Sequence, residues 1–235
     1  MQSINLSVAI LAGGLATRLR PLTATIPKSL IMIHGEPFIA HQLRLLKNHG
    51  ITEVVMCVGF LGDLIVAAIG DGSQFGLKVQ YSFETEHLLG TGGALKAALP
   101  MLGETFLVLY GDSYLPCNYQ SIYTAFKLDN KQALMTILQN RGQWDVSNVE
   151  YTQNKILAYE KHQHTLAMQH IDYGLGVFCK TAFTNVPDNV HYDLTALYQE
   201  LLRQNQLAAF EVFERFYEIG SFSGIKETEA YLNIP

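Results

Sequence analysis

The sequence predicts an α/β protein in which a mostly parallel, Rossmann-like central sheet has helices on both faces. Three observations lead to this fold class. Short apolar runs rich in β-branched residues alternate with amphipathic helical segments, and several of these runs stop at glycine or aspartate. Of the 235 residues, 49% are hydrophobic and 16% are charged, which is typical of a globular chain with a sizeable core.

The first half of the chain predicts parallel strands joined by helices, because strand and helix patterns alternate there. The strand patterns are SVAIL (7–11), EVVMCVGF (53–60), LKVQYSF (77–83) and TFLVLYGD (105–112). The helix patterns are PFIAHQLRLLKNHG (37–50), LGDLIVAAIG (61–70) and TGGALKAALPML (91–102). The first of these helices begins with Pro37 and stops at Gly50, and the third is opened by Thr91.

The second half is less regular but has no linker, repeat or low-complexity segment. Strands are predicted at 132–138, 146–152, 155–161 and 171–178, followed by a helix at 194–205 and a strand, loop and helix at 216–232. We therefore expect one domain over residues 1–235, with the second half completing a pocket that the first half begins.

Charge and cysteine content exclude several classes of protein. A net charge of −5 argues against a general nucleic-acid surface. Three cysteines, odd in number and far apart, argue against a disulfide framework or structural zinc site and favour a reducing cytoplasm. Because the N-terminal apolar run is short and lacks a basic flank, we expect no signal peptide and no membrane segment.

A positively charged loop follows the first strand. The stretch LAGGLATRLRPLTATIPKSL contains Arg18, Arg20 and Lys28, and the first acid of the chain is Glu36, although average composition would give about three acids by then. A Gly13-Gly14 turn lets backbone N–H groups approach phosphate oxygens, so the loop predicts an anion site rather than a merely solvated turn. Its spacing matches neither G-x-x-x-x-G-K-[ST] nor G-x-G-x-x-G.

The motifs LAGGLATRLRPLT, PKSL, LLGTGGALKAAL, LYGDS, AYEK and YEIGSFSGIKETEAYL occur in the order found in the sugar-1-phosphate nucleotidyltransferases. The chain resembles this family over nearly its whole length, and most closely its short single-domain bacterial members, such as the heptose- or mannose-1-phosphate guanylyltransferases and the muramate-1-phosphate uridylyltransferase. The resemblance implies a fold of the nucleotide-diphospho-sugar transferase type, with residues 1–130 binding the nucleotide and residues 131–235 binding the sugar phosphate.

The resemblance also implies roles for individual residues. Arg18 would hold the β- and γ-phosphates of a nucleoside triphosphate, and Lys28 the α-phosphate that is attacked. The expected nucleotide contacts are Leu11, Ala12, Gly13, Gly14, Glu84, Gly92, Gly93 and Asp112. The expected sugar-phosphate contacts are Glu160, Lys161, Asp172 and Gly174.

The cofactor that the resemblance implies is Mg²⁺, with Asp112 and Glu218 as ligands. An aspartate at the end of a hydrophobic strand is well placed to meet a cation. The chain departs from the family pattern at three positions: Ala16 replaces a glycine, Glu218 a metal-binding aspartate, and Asp172 an asparagine. A metal site at His162, His164 and His170 is disfavoured, because their spacing offers no matching ligand pair.

The expected activity is transfer of a nucleoside monophosphate from a nucleoside triphosphate to a sugar 1-phosphate. LGTGGALK favours GTP with a mannose- or heptose-type sugar, and a uridylyl- or cytidylyltransferase is the alternative. Two other classes stay open. One is a glycosyltransferase, although Asp112 is followed by Ser113 and Tyr114 and not by an Asp-x-Asp pattern; the other is a non-catalytic regulatory subunit. We expect a monomer or homo-oligomer with no nucleic-acid or membrane partner.

Overall fold

The computed structural model describes residues 6–14, 19, 21–84 and 87–233. The strands among these residues are β1 (Ser7–Leu11), β2 (Met32–Ile33), β3 (Glu36–Pro37), β4 (Glu53–Val58), β5 (Lys78–Phe83), β6 (Thr105–Tyr110), β7 (Ser113–Tyr114), β8 (Ala133–Gln139), β9 (Val149–Thr152), β10 (Lys155–Tyr159), β11 (His170–Cys179), β12 (Leu207–Val212) and β13 (Tyr217–Glu218). The α-helices are α1 (Phe38–Asn48), α2 (Gly62–Ile69), α3 (Gly90–Ala98), α4 (Tyr119–Asp129), α5 (Leu194–Arg203) and α6 (Phe222–Leu232).

Nine of these strands form one mixed sheet. Strands β5, β4, β1 and β6 lie side by side and are parallel, so their carboxyl ends share one edge. Beyond β6 the sheet continues with β11, which is antiparallel to β6, and then with β8 and β12. The β9–β10 hairpin joins the start of β11 through the pairing of Val149 with His170. The expected fold class, with its mostly parallel sheet, is confirmed.

Helices cover both faces of the sheet. Val8 and Ile10 of β1 point into one buried cluster together with residues of α1, α2 and α4. Ala9, between them, points into a second cluster with residues of α3 and α5. A strand that is buried on both faces has no polar side, which explains why SVAIL is a continuous apolar run rather than an alternating one.

Local sequence signals set the ends of most helices. Pro37 occupies the N-cap position of α1, and Gly50, with a φ of 80°, follows its end. Asp193 caps α5 by accepting a hydrogen bond from Thr195 N at 2.8 Å. The capping residue of α4, Asn118, accepts from Ser121 N at 3.0 Å. Neither α4 nor strand β12 was expected from the sequence.

A third, smaller apolar cluster lies at the carboxyl edge of the parallel strands. Phe38 of α1 and Ile33 of β2 are fully buried there against Ile219, which follows β13. Ile225 of α6 packs against this cluster, so the C-terminal helix is fixed beside the site described below. No helix in the described part of the chain has both the length and the apolar character that crossing a membrane would require.

Candidate active site

The glycine turn lies where β1 ends, at the shared carboxyl edge of the parallel strands. Ala12 N donates to Cys57 O at 2.8 Å, which holds the turn beside β4. A Cβ on Gly13 would lie 3.1 Å from both Gly59 N and Glu84 Oε1, whereas a Cβ on Gly14 would meet no atom of the described residues within 4 Å. The neighbours of Gly13 therefore favour glycine at this position, and the space beside Gly14 is clear of side chains from the residues that the structure describes.

A first cavity of about 280 Å³ opens above this turn. Six of the residues expected to contact a nucleotide line it: Leu11, Ala12, Gly13, Gly14, Glu84 and Asp112. Further lining residues are Lys28, Ser29, Leu88, Gly90, Thr91, Ala94, Tyr110, Gly111 and His191. Arg18, Ala16 and Arg20 lie outside the described residues, so the expected contact of Arg18 with phosphates stays a prediction.

A second cavity of about 750 Å³ adjoins the first and is built mainly by the second half of the chain. Lys161, Asp172, Gly174 and Glu218, all expected at a sugar phosphate or a metal, line it. Lys28, Tyr110 and Asp112 line both cavities and therefore form the junction between them. Among the described residues, these three are shared by both cavities, so a group bound in one cavity can meet a group bound in the other there.

An ion pair occupies the junction. Lys28 Nζ lies 2.8 Å from Asp112 Oδ2, and both side chains are about one quarter exposed, at 24% and 30%. Lys28 follows Pro27 and opens a short 3₁₀ turn, whereas Asp112 follows the end of β6. The buried Gln42 of α1 donates to Tyr110 O and to a second backbone carbonyl on the far side of Asp112, at 2.8 and 2.7 Å. Asp112 is thus held on a braced backbone.

Glu218 lies beside Asp112 because β13 pairs with β7. Ile219 N donates to Asp112 O at 3.0 Å, and Glu218 is in register with Ser113. A Cβ on Gly220 would lie 3.5 Å from Lys28 Nζ and 3.7 Å from Asp112 Oδ2, and it would collide with Glu218 Oε2. Gly220 therefore leaves space among the lysine and the two carboxylates, and Ser221 Oγ donates to Glu218 Oε1 at 2.6 Å.

The carboxylates of Asp112 and Glu218 suit a hard divalent cation. Over residues 6–14, 19, 21–84 and 87–233, no three or more His, Cys, Asp or Glu side chains form a group that could hold a metal ion by themselves. Asp112 and Glu218 supply two carboxylates, and Mg²⁺ is commonly bound by one or two carboxylates together with substrate phosphates and water. The donor set fits a cation that a phosphate ligand helps to hold.

Lys161 is held by a residue that the sequence analysis did not single out. Its Nζ lies 3.2 Å from Asp193 Oδ1, and Thr91 Oγ1 lies 3.4 Å from the same oxygen. Burial raises the pKa of Asp193, but the Thr195 hydrogen bonds and the charge of Lys161 outweigh it, so the pKa lies below its ordinary value. Since Thr91 lines the first cavity and Lys161 the second, Asp193 connects the two.

Asp172 and Gly174 lie at an irregularity in β11, where the pairing with β8 shifts register. Asp172 accepts hydrogen bonds from Gly174 N and Tyr159 Oη, both at 3.0 Å. Burial raises the pKa of Asp172 despite these bonds. Gly174 has a φ of 95°, a conformation that side-chain-bearing residues rarely adopt, and its Cα is open to the cavity.

Glu84 follows β5 and forms part of the wall of the first cavity. Its Oε2 accepts from Leu89 N at 3.0 Å, which ties it to the segment before α3. Burial raises the pKa of Glu84, and this effect outweighs the Leu89 hydrogen bond and the nearby histidines His87 and His191. A carboxylate here offers only hydrogen-bond acceptors as long as it is ionised.

Of the expected site residues that the structure describes, three line neither cavity. Gly92 N and Gly93 N both donate to Tyr192 O, at 2.8 and 3.1 Å. A Cβ on Gly92 would lie 2.8 Å from the Tyr192 ring, so both glycines permit close packing of α3 against the segment before α5. Glu160 directly precedes Lys161, and its backbone N–H donates to Asn148 O at 3.0 Å. Their contacts with ligands stay predictions.

The sheet carries a glycine turn at the carboxyl edge of its parallel strands, and two cavities meet at Lys28 and Asp112, with Glu218 beside them. This arrangement suits an enzyme that transfers a phosphate-linked group between two ligands. A family model described as Nucleotidyl transferase matches residues 7–231, and the chain therefore belongs to this family. The resemblance to the sugar-1-phosphate nucleotidyltransferases is confirmed, and the chain is an enzyme of that type.

The names of individual relatives give different nucleotides as their substrates. The chain is 29% identical to the N-acetylmuramate alpha-1-phosphate uridylyltransferase of Neisseria meningitidis serogroup B, over 94% of this chain and 96% of the relative. It is 41% identical to the mannose-1-phosphate guanyltransferase of Aspergillus fumigatus, over 47% of this chain and 30% of that longer relative. The inositol-1-phosphate CTP transferase of T. maritima shares the fold, with a TM-score of 0.79 at 18% identity over 100% of this chain and 98% of that structure.

Proposed function

We propose that the enzyme transfers a nucleoside monophosphate from a nucleoside triphosphate to a sugar 1-phosphate, forming an NDP-sugar and releasing pyrophosphate. The observation that carries this proposal is that Lys28 and Asp112 line both cavities. The first cavity would take the nucleoside triphosphate and the second the sugar 1-phosphate. Their reacting phosphates would then meet at the Lys28–Asp112 junction.

The chemistry requires alignment and neutralisation of charge rather than a general base, because a phosphate oxygen is already a nucleophile. An oxygen of the sugar phosphate attacks the α-phosphorus, and the bond from that phosphorus to the α,β-bridging oxygen breaks. The electron pair of that bond leaves with pyrophosphate. Lys28 would stabilise the charge that develops on the α-phosphate oxygens. Mg²⁺ held by Asp112 and Glu218 would neutralise further phosphate charge.

The nucleotide half is supported by the turn at Gly13 and Gly14, whose backbone suits a polyphosphate. Arg18 is assigned to the β- and γ-phosphates by the family order alone. In the acceptor half, Lys161 supplies a cation for the sugar phosphate, and Glu160, Asp172 and the open backbone at Gly174 supply groups for the sugar. These assignments divide the chain at about residue 130, within a single domain.

A preference for GTP is supported by the position of Glu84. Guanine presents two adjacent donors, N1–H and the N2 amino group, which match the two oxygens of a carboxylate. Uracil and thymine present one N–H donor, and cytosine presents one amino group. The carboxylate lines the cavity proposed for the nucleotide, and its Oε2 would accept from the base in addition to Leu89 N. The alternative to a guanylyltransferase is a uridylyl- or cytidylyltransferase. For the acceptor, we favour a mannose- or heptose-type sugar 1-phosphate.

A non-catalytic role is disfavoured by the charged groups that the two cavities retain. A subunit that only binds ligands does not need Lys28, Asp112, Lys161 and Glu218 around two connected cavities. A cytoplasmic location is part of the proposal, and it is supported by the free thiols of Cys57, Cys117 and Cys179, which are typical of a reducing compartment.

The test is a pyrophosphate-release assay in which GTP, UTP, CTP and dTTP are each combined with glucose, mannose and N-acetylglucosamine 1-phosphates and a heptose 1-phosphate. We expect release that requires both substrates and a divalent cation, and that is fastest with GTP and a manno-configured sugar. Release of pyrophosphate from the nucleotide alone would overturn the proposed reaction. Absence of pyrophosphate release with every pair would overturn it as well. Faster turnover with UTP or CTP would overturn only the GTP preference.

A further inference from the structure

The second cavity carries an aromatic side chain that the reaction described above does not use. Trp144, the only tryptophan of the chain, lies in the loop between β8 and β9 and lines this cavity. It is 39% exposed. An indole ring left partly exposed inside a ligand cavity offers an apolar surface to whatever binds there.

The loop holds Trp144 in a defined position. The buried side chain of Asn140 accepts a hydrogen bond from Trp144 N at 3.1 Å. Its Nδ2 donates to Asp145 O at 2.6 Å and to Ser147 Oγ at 2.9 Å. The buried amide of Asn140 thus takes part in three hydrogen bonds, which hold the loop backbone at and after the tryptophan.

A stacked guanidinium group holds the indole from one side. The Arg215 guanidinium carbon lies 4.0 Å from the centre of the Trp144 ring and 4.7 Å from that of Tyr217. Arg215 also forms an ion pair with Glu227 of α6. A planar guanidinium can stack on two rings and keep an ion pair in its own plane, which a lysine cannot do. Arg215 therefore connects the Trp144 loop to α6 and to the strand that carries Glu218.

From this arrangement we infer that Trp144 is the platform on which the sugar ring of the acceptor stacks, and that Arg215 is the positioning residue that holds it. The inference rests on the proposed function and names the sugar subsite within it. A pyranose ring has an apolar C–H face that suits an indole and hydroxyl groups at its edge that suit carboxylates. Asp145 and Asp172 line the same cavity and supply acceptors for these hydroxyls.

A nucleobase would also stack on an indole. The position of the Trp144 indole therefore has to show whether a nucleobase or a sugar binds there. Trp144 lines the second cavity and is not among the residues around the glycine turn and Glu84. Lys161, the cation proposed for the sugar phosphate, lines the same cavity as Trp144. The indole therefore belongs on the acceptor side of the Lys28–Asp112 junction.

The emission of Trp144 gives a direct test, because no other tryptophan contributes to the signal. The wild-type enzyme is titrated with GDP-mannose and with GDP, or with the NDP-sugar and NDP of whichever pair is fastest in the pyrophosphate assay. We expect the NDP-sugar to change the emission saturably and the NDP to leave it nearly unchanged. An equal response to both would place the nucleotide on the indole and overturn the inference, as would no response to either in an active enzyme.

Substitutions test the same subsite through turnover. Trp144→Leu should raise the KM for the sugar 1-phosphate roughly tenfold with a smaller effect on the KM for the nucleotide, and Trp144→Phe should recover part of the loss. Arg215→Lys keeps the charge but loses the stack, so it should also raise the sugar KM and shift the emission of the free enzyme towards that of exposed tryptophan. Phe213→Leu, at an aromatic residue that is 82% exposed, is the matched control and should change neither KM.

Failure of this inference is distinguishable from failure of the proposed function. If the wild-type enzyme releases pyrophosphate and Trp144→Leu keeps the wild-type KM for the sugar, the stacking platform is wrong and the proposed reaction stands. If the wild-type enzyme releases no pyrophosphate with any pair, the proposed reaction is wrong, and so is the stacking platform that rests on it. Thermal unfolding of each variant identifies a change in KM that comes from loss of folded protein.

Discussion

Lys28 Nζ and Asp112 Oδ2 are 2.8 Å apart, although 84 positions separate the two residues in the chain. The pair lies between two cavities and is partly exposed, so it contributes little to stability, about 0–1 kcal/mol for a typical pair of this kind. The pair matters because it fixes the positions of both side chains at the junction. A triphosphate that enters the junction would take Lys28 as a partner, and Asp112 would then be available to a cation.

Lys28→Ala should fold normally and lose turnover. The loss of one preorganised cationic contact to the α-phosphate should lower kcat about 10²- to 10³-fold, as the loss of a single oxyanion donor does in other enzymes. Steady-state kinetics and thermal unfolding measure the two effects separately. Lys78→Ala, which breaks an exposed ion pair with Glu53, removes the same charge far from the junction and should leave kcat unchanged. Near wild-type turnover in Lys28→Ala would remove Lys28 from the reaction.

Asp112→Asn should abolish most of the activity and weaken the dependence on a divalent cation, because it keeps the shape of the side chain and removes its charge. Activity is measured across a series of Mg²⁺ concentrations. Asp129→Asn, at the exposed end of α4, is the matched control and should behave as the wild type. If Asp112→Asn kept both its activity and its Mg²⁺ requirement, Asp112 would have a structural role only.

Lys161→Ala should act on the acceptor and not on the nucleotide. The KM for the sugar 1-phosphate should rise and kcat should fall, because the acceptor phosphate loses the cation that aligns it. Calorimetric titration with the nucleoside triphosphate alone should change little. Lys155→Ala, exposed at the start of β10, is the control. An equal loss of nucleotide affinity in Lys161→Ala would move Lys161 to the triphosphate and contradict the division between the two cavities.

Asp172→Asn should make the protein more stable at neutral pH. Burial raises the pKa of Asp172 in the folded state, so its ionised form costs stability wherever the pH lies above that raised value. As the pH falls through the raised pKa of Asp172 towards 3.8, the ordinary pKa of an aspartate, the folded protein takes up the proton and the cost disappears. Asparagine carries no such cost at any pH.

The gain in the melting temperature of Asp172→Asn should therefore be largest near pH 7 and shrink in acid. Each kcal/mol recovered corresponds to about 2–4 °C for a domain of this size. The same variant should bind the sugar 1-phosphate more weakly, since Asp172 lines the acceptor cavity. A melting temperature that is lower than that of the wild type at pH 7 would show that the hydrogen bonds of Asp172 outweigh its burial.

Much of the first half of the fold could be predicted because its signals are local. The run SVAIL ends at a glycine turn, and α1 has a proline before it and a glycine after it. Helix α4 also carried a readable signal that was missed: Tyr119, Ile122 and Phe126 are buried at helical spacing behind the capping residue Asn118. Strand β12, LAAFEV, has no clear alternation, and it is defined by its parallel pairing with β8.

Site residues that lie in a sequence motif could be predicted, whereas contacts between residues that are far apart in the chain could not. The family motifs pointed to Asp112 and Lys161, but nothing local pairs Lys161 with Asp193, 32 positions away. Asp193 could have been read as the cap of α5, because an aspartate before an apolar helix is a start signal. Trp144 carried no motif, and its place in a cavity follows from hydrogen bonds and stacking that only the folded chain brings together.

The most direct test of the central claim is to follow the α-phosphate itself. The nucleoside triphosphate is labelled with ³²P at either the α- or the γ-position and is turned over with its sugar 1-phosphate. Attack on the α-phosphorus at the Lys28–Asp112 junction predicts that the α-label appears in the NDP-sugar and the γ-label in pyrophosphate, in equal amounts and only with both substrates present. Release of the γ-label as inorganic phosphate, or α-label in free NMP without an NDP-sugar, would contradict the account.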